Sequence, residues 1–224
     1  MASPGTSPEG PCKPSLRTDA ERNRTLLLAA AHKVFAEHGL EAPMAEIARR
    51  AGVGIATLYR RFPTRDDLIT ATFAMKMKAY VDAIDQALQD PDPWRGFCGY
   101  IERVCEMQAS DRGFTHVLTL TFPTAKAFEA DRNRSYEGFS QLVASAKETG
   151  RLRPDFSTED LILLLMANAG VISATGESAP DAWRRLVAYM VQAFSADHTE
   201  PLPSAPTPKA MYRAMIRIRP RKAD

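Results

Sequence analysis

The stretch that most constrains the fold is residues 43–62, PMAEIARRAGVGIATLYRRF. Within it Met44, Ile47, Ala48 and Ala51 recur at i, i+3, i+4 and i+7, one face of a short helix. Gly52 follows where that helix stops, a left-handed position that a residue without Cβ occupies cheaply. Val53 sits in the turn, and after Gly54 the segment IATLYRRF opens a second helix, anchored inward by Leu58 and Phe62. Two short helices about a tight glycine-containing turn form the unit that sets its second helix into a major groove. Ile55, Ala56, Thr57, Tyr59, Arg60 and Arg61 are then left for a duplex. Thr, Tyr and Arg suit phosphates or base edges, and Ile and Ala suit a thymine methyl. A phosphate-binding glycine loop is ruled out, because Thr57 stands where its third glycine belongs and no apolar strand precedes it. A purely structural helical hairpin shares the spacing and is the alternative.

Charge is distributed unevenly along the 224 residues. Residues 1–78 carry 12 Lys and Arg against 8 Asp and Glu, residues 79–200 carry 11 against 18, and residues 201–224 carry 6 against 1. A basic head on an acidic body is the asymmetry expected if the head meets nucleic acid. Cys12, Cys98 and Cys105 offer no disulfide framework, and Cys98 and Cys105, seven apart on one helix, lie roughly 10 Å from each other, too far to bridge. They suggest a reducing cytoplasm, with a redox-sensing pair formed between two subunits as the alternative use. His32, His38, His116 and His198 lack metal-ligand spacing. The opening residues have no apolar core of a signal peptide, and the longest apolar run, LILLLMANAGVISA, is too short to span a bilayer. The expectation is a cytoplasmic, nucleoid-associated protein with no membrane partner, no metal and no cofactor.

The periodicity is helical throughout, so the expected fold class is all-α. Residues 1–17, rich in Pro, Ser and Gly, form an expected disordered basic arm; Arg17, with Arg22 and Arg24, lies where such an arm can reach a minor groove, and solvated charge with no partner is the alternative. Residues 18–63 form a three-helix DNA-binding domain opened by a capping box from Thr18 to Glu21. Residues 64–198 form a larger helical domain. Its first helix, capped at Thr64, carries Ile69, Phe73, Met77, Tyr80, Ile84 and Leu88 and touches both domains, as a mechanical coupling requires. Asp92 and Pro93 start the next helix, followed by a short one over 114–122 that Pro123 ends. A polar helix over 125–149 turns Phe128, Tyr136, Phe139, Leu142 and Val143 inward. The helix after Ser157 is apolar nearly all round, and the last, after Ser178, carries Trp183, Leu186, Val187, Met190, Val191 and Phe194. Such a surface needs a second subunit as cover, which predicts a homodimer through residues 161–172 and 183–194. Residues 199–224 form a Pro-rich basic tail whose composition favours disorder, as a segment that touches DNA; a short strand or helix that folds on a partner and an inert extension are the alternatives.

The segment AEIARRAGVGIATLYRRFPTRDDLI resembles the DNA-binding segment of the TetR family of bacterial transcriptional regulators. The matching elements are FAEHG at the end of the preceding helix, IA..AGV, TLY..F and the cap with Leu that follows, covering roughly residues 19–73. The resemblance implies an all-helical homodimer on a palindromic operator, with an N-terminal helix-turn-helix domain and a larger ligand-binding and dimerisation domain. It also implies a repressor, released from DNA when a small molecule binds. Two departures concern DNA contacts. Ala45 stands where some relatives carry a base-reading arginine, and Pro43 stands where a capping Thr is common. Arg65, with backbone N–H groups at the starts of the neighbouring helices, is expected to hold phosphate. The effector site implied for such a domain is apolar; Phe73, Met77, Phe97, Tyr100, Ile101, Val104, Phe114, Leu118, Phe139, Met166 and Asn168 are its candidates. Asn168 stands out, because an amide within LLLMANAG is costly unless something satisfies it. No nucleophile elbow, H-E-x-x-H or phosphate loop marks an enzyme, so no catalytic residue is assigned. The other reading is a DNA-binding protein without a small-molecule effector, controlled by a protein partner.

Overall fold

The computed structural model describes residues 16–119, 126–197 and 200–217. Among the described residues there are ten helices and no strand; Leu152 and Ser195 form one isolated antiparallel bridge. The head comprises α1 (Leu16–His38), α2 (Met44–Ala51) and α3 (Ile55–Arg61). The helix is already formed at Leu16, so Thr18, expected as its opening cap, lies inside it, as does Arg17. The rest of the expected N-terminal arm lies outside the described residues. Leu27, Ala31, Val34 and Phe35 of α1 are fully buried against Ile47 of α2 and Leu58 of α3. Each of the larger side chains contributes about 1.5–3 kcal/mol by leaving water, which makes the short α2–α3 pair rigid although neither helix would persist alone. Gly52 ends α2 at φ 69°, and its N–H closes onto Arg49 O, the conformation that favours a residue without Cβ.

The capping box at Thr64 forms as expected, with Asp67, and opens α4 (Arg65–Leu88). Ile69, Phe73, Met77, Tyr80 and Ile84 are buried along it, whereas Leu88, the helix's last residue, is 38% exposed. Spacing gives a side chain's direction, not how far the cover extends at a helix end. Asp92 accepts from the N–H groups of Trp94 and Arg95 and starts α5 (Pro93–Ser110). The turn between α4 and α5 is tight enough that a Cβ on Gly96 would stand 2.5 Å from Ala87 O. After α6 (Arg112–Thr119) come α7 (Lys126–Glu148), α8 (Glu159–Thr175) and α9 (Ala182–Phe194); Pro123 lies outside the described residues. Phe97, Phe139, Phe156 and Phe194 form the centre of the body, with ring centroids 4.9–6.3 Å apart. Tyr136, expected to face inward on α7, is 42% exposed, because its hydroxyl bonds Thr158 and Glu159 at the start of α8.

The tail departs most from expectation. Residues 208–217 are not disordered but form α10 (Pro208–Arg217), capped by Thr207, whose hydroxyl accepts from Ala210 N at 3.2 Å. Met211 and Met215, one turn apart, are each 5% exposed and lie toward α8. The start signal Thr207-Pro208 followed by apolar residues at i and i+4 was present in the sequence, but the prolines before it dominated the composition. Arg153, buried at the end of α9, holds the base of the tail by donating to Glu200 O at 2.7 Å and Ala193 O at 3.2 Å.

Candidate nucleic-acid interface and effector cavity

The outward face of α3 rests on Leu58, fully buried, and Phe62, 5% exposed. Ile55 is 41% and Tyr59 48% exposed; Ala56, Arg60 and Arg61 are also exposed, and Thr57 is half-buried. Arg61 reaches Glu21 of α1 at 3.5 Å. Thr57, Arg60 and Arg61 share a groove with Asn23 and Arg24 of α1, so two helices contribute to one polar edge. Pro43 and Ala45 are exposed at the start of α2. Pro43 supplies no side-chain cap there, and the first turn is closed by its carbonyl alone.

Three basic residues near this face bond within the protein. Arg65 donates to the carbonyls of Leu40 and Ala42, fixing the turn between α1 and α2, so without DNA it is not a free phosphate donor. The start of α4 carries Asp66 and Asp67, and the capping box already uses Asp67; carboxylates there compete with a phosphate for the same end of the helix dipole. Arg49 and Arg50 both clasp Glu46, and Arg50 also bonds Glu37 at 2.6 Å. Their donation lowers the Glu46 carboxyl to about 2. The clasp is therefore fully formed above the ordinary carboxylate range and is lost only as pH falls through about 2.

Head and body meet at Asp111, between α5 and α6. One carboxylate oxygen accepts from Phe114 N at 3.1 Å; the other lies 2.8 Å from His32 Nε2 of α1 and 3.8 Å from Lys76 Nζ of α4. His32 also packs on Phe73, 5.7 Å between ring centroids. Three helices thus converge on one carboxylate whose side chain is 2% exposed. Spacing gave no sign of this, since the partners are 79 residues apart. Replacing His32 with alanine leaves a buried charge short of a donor and is expected to cost about 1–3 kcal/mol. The urea midpoint should fall, and His32→Gln, which keeps a donor, should recover part of the loss. Equal midpoints for wild type and His32→Ala would mean that the pair contributes nothing.

The body contains a cavity of about 430 Å³ between α4, α6, α7, α8 and α10, within the roughly 300–1,000 Å³ usual for small-molecule sites. Leu118, Phe139, Leu161, Ile162, Leu165 and Met215 make its apolar wall; Tyr80, Arg132, Ser135 and Glu159 bring polar groups. Of the expected lining, only Leu118 and Phe139 are there. Phe73, Met77, Phe97, Tyr100, Ile101, Val104 and Phe114 pack as buried core. Met166 faces a different and more polar crevice of about 460 Å³, with Glu37, Arg112 and His116. Asn168 is fully buried and satisfied in part within the chain, donating to Gln108 Oε1 at 2.9 Å and Cys105 O at 3.3 Å. Helical spacing identifies inward faces but not which inward face leaves space. Burial, with Glu102 nearby, pushes the Cys98 thiol up to about 11 and that of Cys105 up to about 12, so the nucleophilic thiolate is scarce at neutral pH. In a Cys12→Ser background a thiol reagent at pH 7.5 is expected to react at least roughly a hundredfold faster with unfolded than with native protein. Rapid native labelling would revive redox sensing.

Among the described residues no group of acidic, His and Cys side chains is placed to hold a metal ion, and no helix is long and apolar enough to cross a membrane. Residues 27–72 match the family model for bacterial regulatory proteins of the tetR family, and residues 92–193 match that for the C-terminal domain of SbtR-like transcriptional regulators. An HTH-type transcriptional regulator of Staphylococcus aureus (strain USA300) is 34% identical over 76 residues, 34% of this chain and 41% of that protein. The match thus spans about two-fifths of the length of the curated relatives. Among solved structures, the TetR regulator SCO0520 of Streptomyces coelicolor is 28% identical, with 77% of this chain and 98% of that one covered and a TM-score of 0.47. The TetR-family regulator PfmR of Thermus thermophilus is 22% identical, with 78% and 99% covered and a TM-score of 0.53, a likeness of fold. The two matched segments fall on the head and the body, and the chain belongs to the TetR family of bacterial regulatory proteins.

Proposed function

We propose that the protein is a homodimeric transcriptional repressor that lays α3 of each copy into successive major grooves of a palindromic operator and leaves it when a small, largely apolar molecule enters the body. The observation that carries the reading is the α3 face: Ile55, Tyr59 and Arg60 stand exposed on a helix that Leu58 and Phe62 hold rigid. A reading helix must present side chains without spending binding energy on ordering its own backbone. Dimerisation is supported by α8. Between Ala169 and Thr175 it has no buried residue, although its composition is apolar. Two-fold pairing of α8 and α9 covers that surface and brings two heads onto one duplex.

Connectivity supports the release step. The cavity is walled by α6 through Leu118, and α6 begins directly after Asp111, which holds His32 of α1. A molecule that displaces α6 shifts the head through that contact and through α4. The test is fluorescence anisotropy with promoter fragments from the protein's own genomic neighbourhood, against bulk DNA, over a range of salt. One fragment is expected to bind at least roughly a thousandfold more tightly than bulk DNA, with affinity falling steeply as salt rises. Equal affinity for all fragments would overturn the reading.

A further inference from the structure

The cavity is completed by the tail, and its wall chemistry narrows what it takes. Pro208, Lys209, Tyr212 and Met215 of α10 line it, while the base of the tail is fixed by Arg153 and by Leu202 N, which donates to Asp155 Oδ2 at 2.9 Å. Above that clamp, α10 is seated by Met211 and Met215. Charge in the wall is balanced in number: it carries two cations, Arg132 and the exposed Lys209, and two carboxylates, Glu129 and Glu159. Arg132 lies 3.9 Å from Glu129 and donates to the carbonyls of Val117 and Leu118; Glu159 accepts from the hydroxyls of Ser157, Thr158 and Tyr136. Burial raises the Glu159 carboxyl, but that donation outweighs it, leaving the group below its usual range and charged at neutral pH. Burial pushes the Tyr80 phenol up, so it stays neutral. What remains unanswered is Ser135: it is fully buried, lines the cavity, and its hydroxyl has no hydrogen-bond partner among the described residues. A buried hydroxyl without a partner is costly, and a ligand that supplies the partner recovers the cost.

We infer that α10 is a wall of the effector site, closing over the ligand, and that the ligand is an uncharged, mostly apolar molecule with one hydrogen-bonding group that meets Ser135. This rests on the effector reading above. An added carboxylate would be a third negative charge in a cavity whose charges already cancel, at the expense of its own hydration. An alcohol brings only the missing partner.

The test is calorimetric titration of the full chain at neutral pH with 1-decanol and, separately, with decanoate. Decanol is expected to bind at least tenfold more tightly than decanoate. Ser135→Ala should weaken decanol binding by roughly tenfold, the worth of one hydrogen bond, without lowering the Tm of the free protein, since no described residue bonds the hydroxyl it removes. Met211→Asp with Met215→Asp should unseat α10 and weaken decanol binding by at least tenfold, with the helical content of the body retained. Decanoate binding as tightly as decanol, no decanol binding by the wild type, or variants that all bind like the wild type would overturn the inference. DNA preference in the anisotropy experiment is read on ligand-free protein, so the reading of α3 fails or stands separately.

Discussion

Replacing Tyr59 and Arg60 together with alanine is expected to weaken binding to the preferred promoter fragment by roughly a thousandfold while leaving the thermal midpoint within about a degree of wild type. Both side chains are exposed on the face of α3 opposite Leu58. Neither makes a hydrogen bond or ion pair with another described residue, so their removal takes nothing from the fold. In the proposed docking each meets a base edge or a phosphate, and a good base contact is worth about 1–3 kcal/mol of discrimination. Two such losses in each of two half-sites bring binding toward the level for bulk DNA. The contrast with Leu58→Ala is informative. That residue is fully buried between α1 and α3, and its truncation should cost about 2–5 kcal/mol of stability, so DNA binding would be lost through unfolding of the head. Anisotropy combined with a melting curve separates the two, and the reading of α3 fails if the exposed pair can be removed with affinity unchanged.

The difference between those two substitutions also shows which parts of the molecule the sequence makes legible. The head could be read because its information is local. Met44, Ile47, Ala48 and Ala51 announce one face, Gly52 announces a stop, and all five behave accordingly. Thr64 with Asp67, and Asp92 before Pro93, are likewise local, because a capping side chain reaches only the next turn. Across the body the spacing marks the helices and most of their inward faces, Leu88 and Tyr136 being the exceptions, yet the effector candidates implied by the family resemblance mostly pack as core. A cavity is a property of several helices at once, and no single stripe encodes the gap between Phe139 of α7 and Leu165 of α8. Asn168 shows the same limit: its partner, Gln108, is 60 residues away on α5. The tail failed for a different reason. Its prolines lower mean order in any composition window, while the ten residues after Thr207 carry a complete helical pattern of their own.

Changing both Leu163 and Gly170 of α8 to glutamate is expected to convert the protein in solution from dimer to monomer and to lower operator affinity by roughly a thousandfold or more. Leu163, Ala167, Gly170 and Ala174 recur at i, i+4, i+7 and i+11, and all four are exposed. Small residues along such a stripe let a second helix approach closely, and Leu163, 43% exposed, gives an apolar anchor at one end. On α9 Tyr189 is 54% exposed and Leu186 and Met190 are half-buried, so the neighbouring helix extends the same surface. In the proposed α8–α9 pairing a glutamate at these positions would face its own copy, and two desolvated carboxylates repel without any compensating cation. Within one chain the substitutions meet no obstacle, since a Cβ on Gly170 has no neighbour within 4 Å. The helical signal by circular dichroism should therefore persist while sedimentation reports half the mass. Loss of affinity follows because one α3 contacts only a few base pairs. The second half-site, one helical turn or about 34 Å away, is available only to a partner held at that spacing. A variant that stays dimeric would move the interface to another face of the body. A variant that becomes monomeric yet still holds the operator at wild-type affinity would break the link between pairing and DNA recognition.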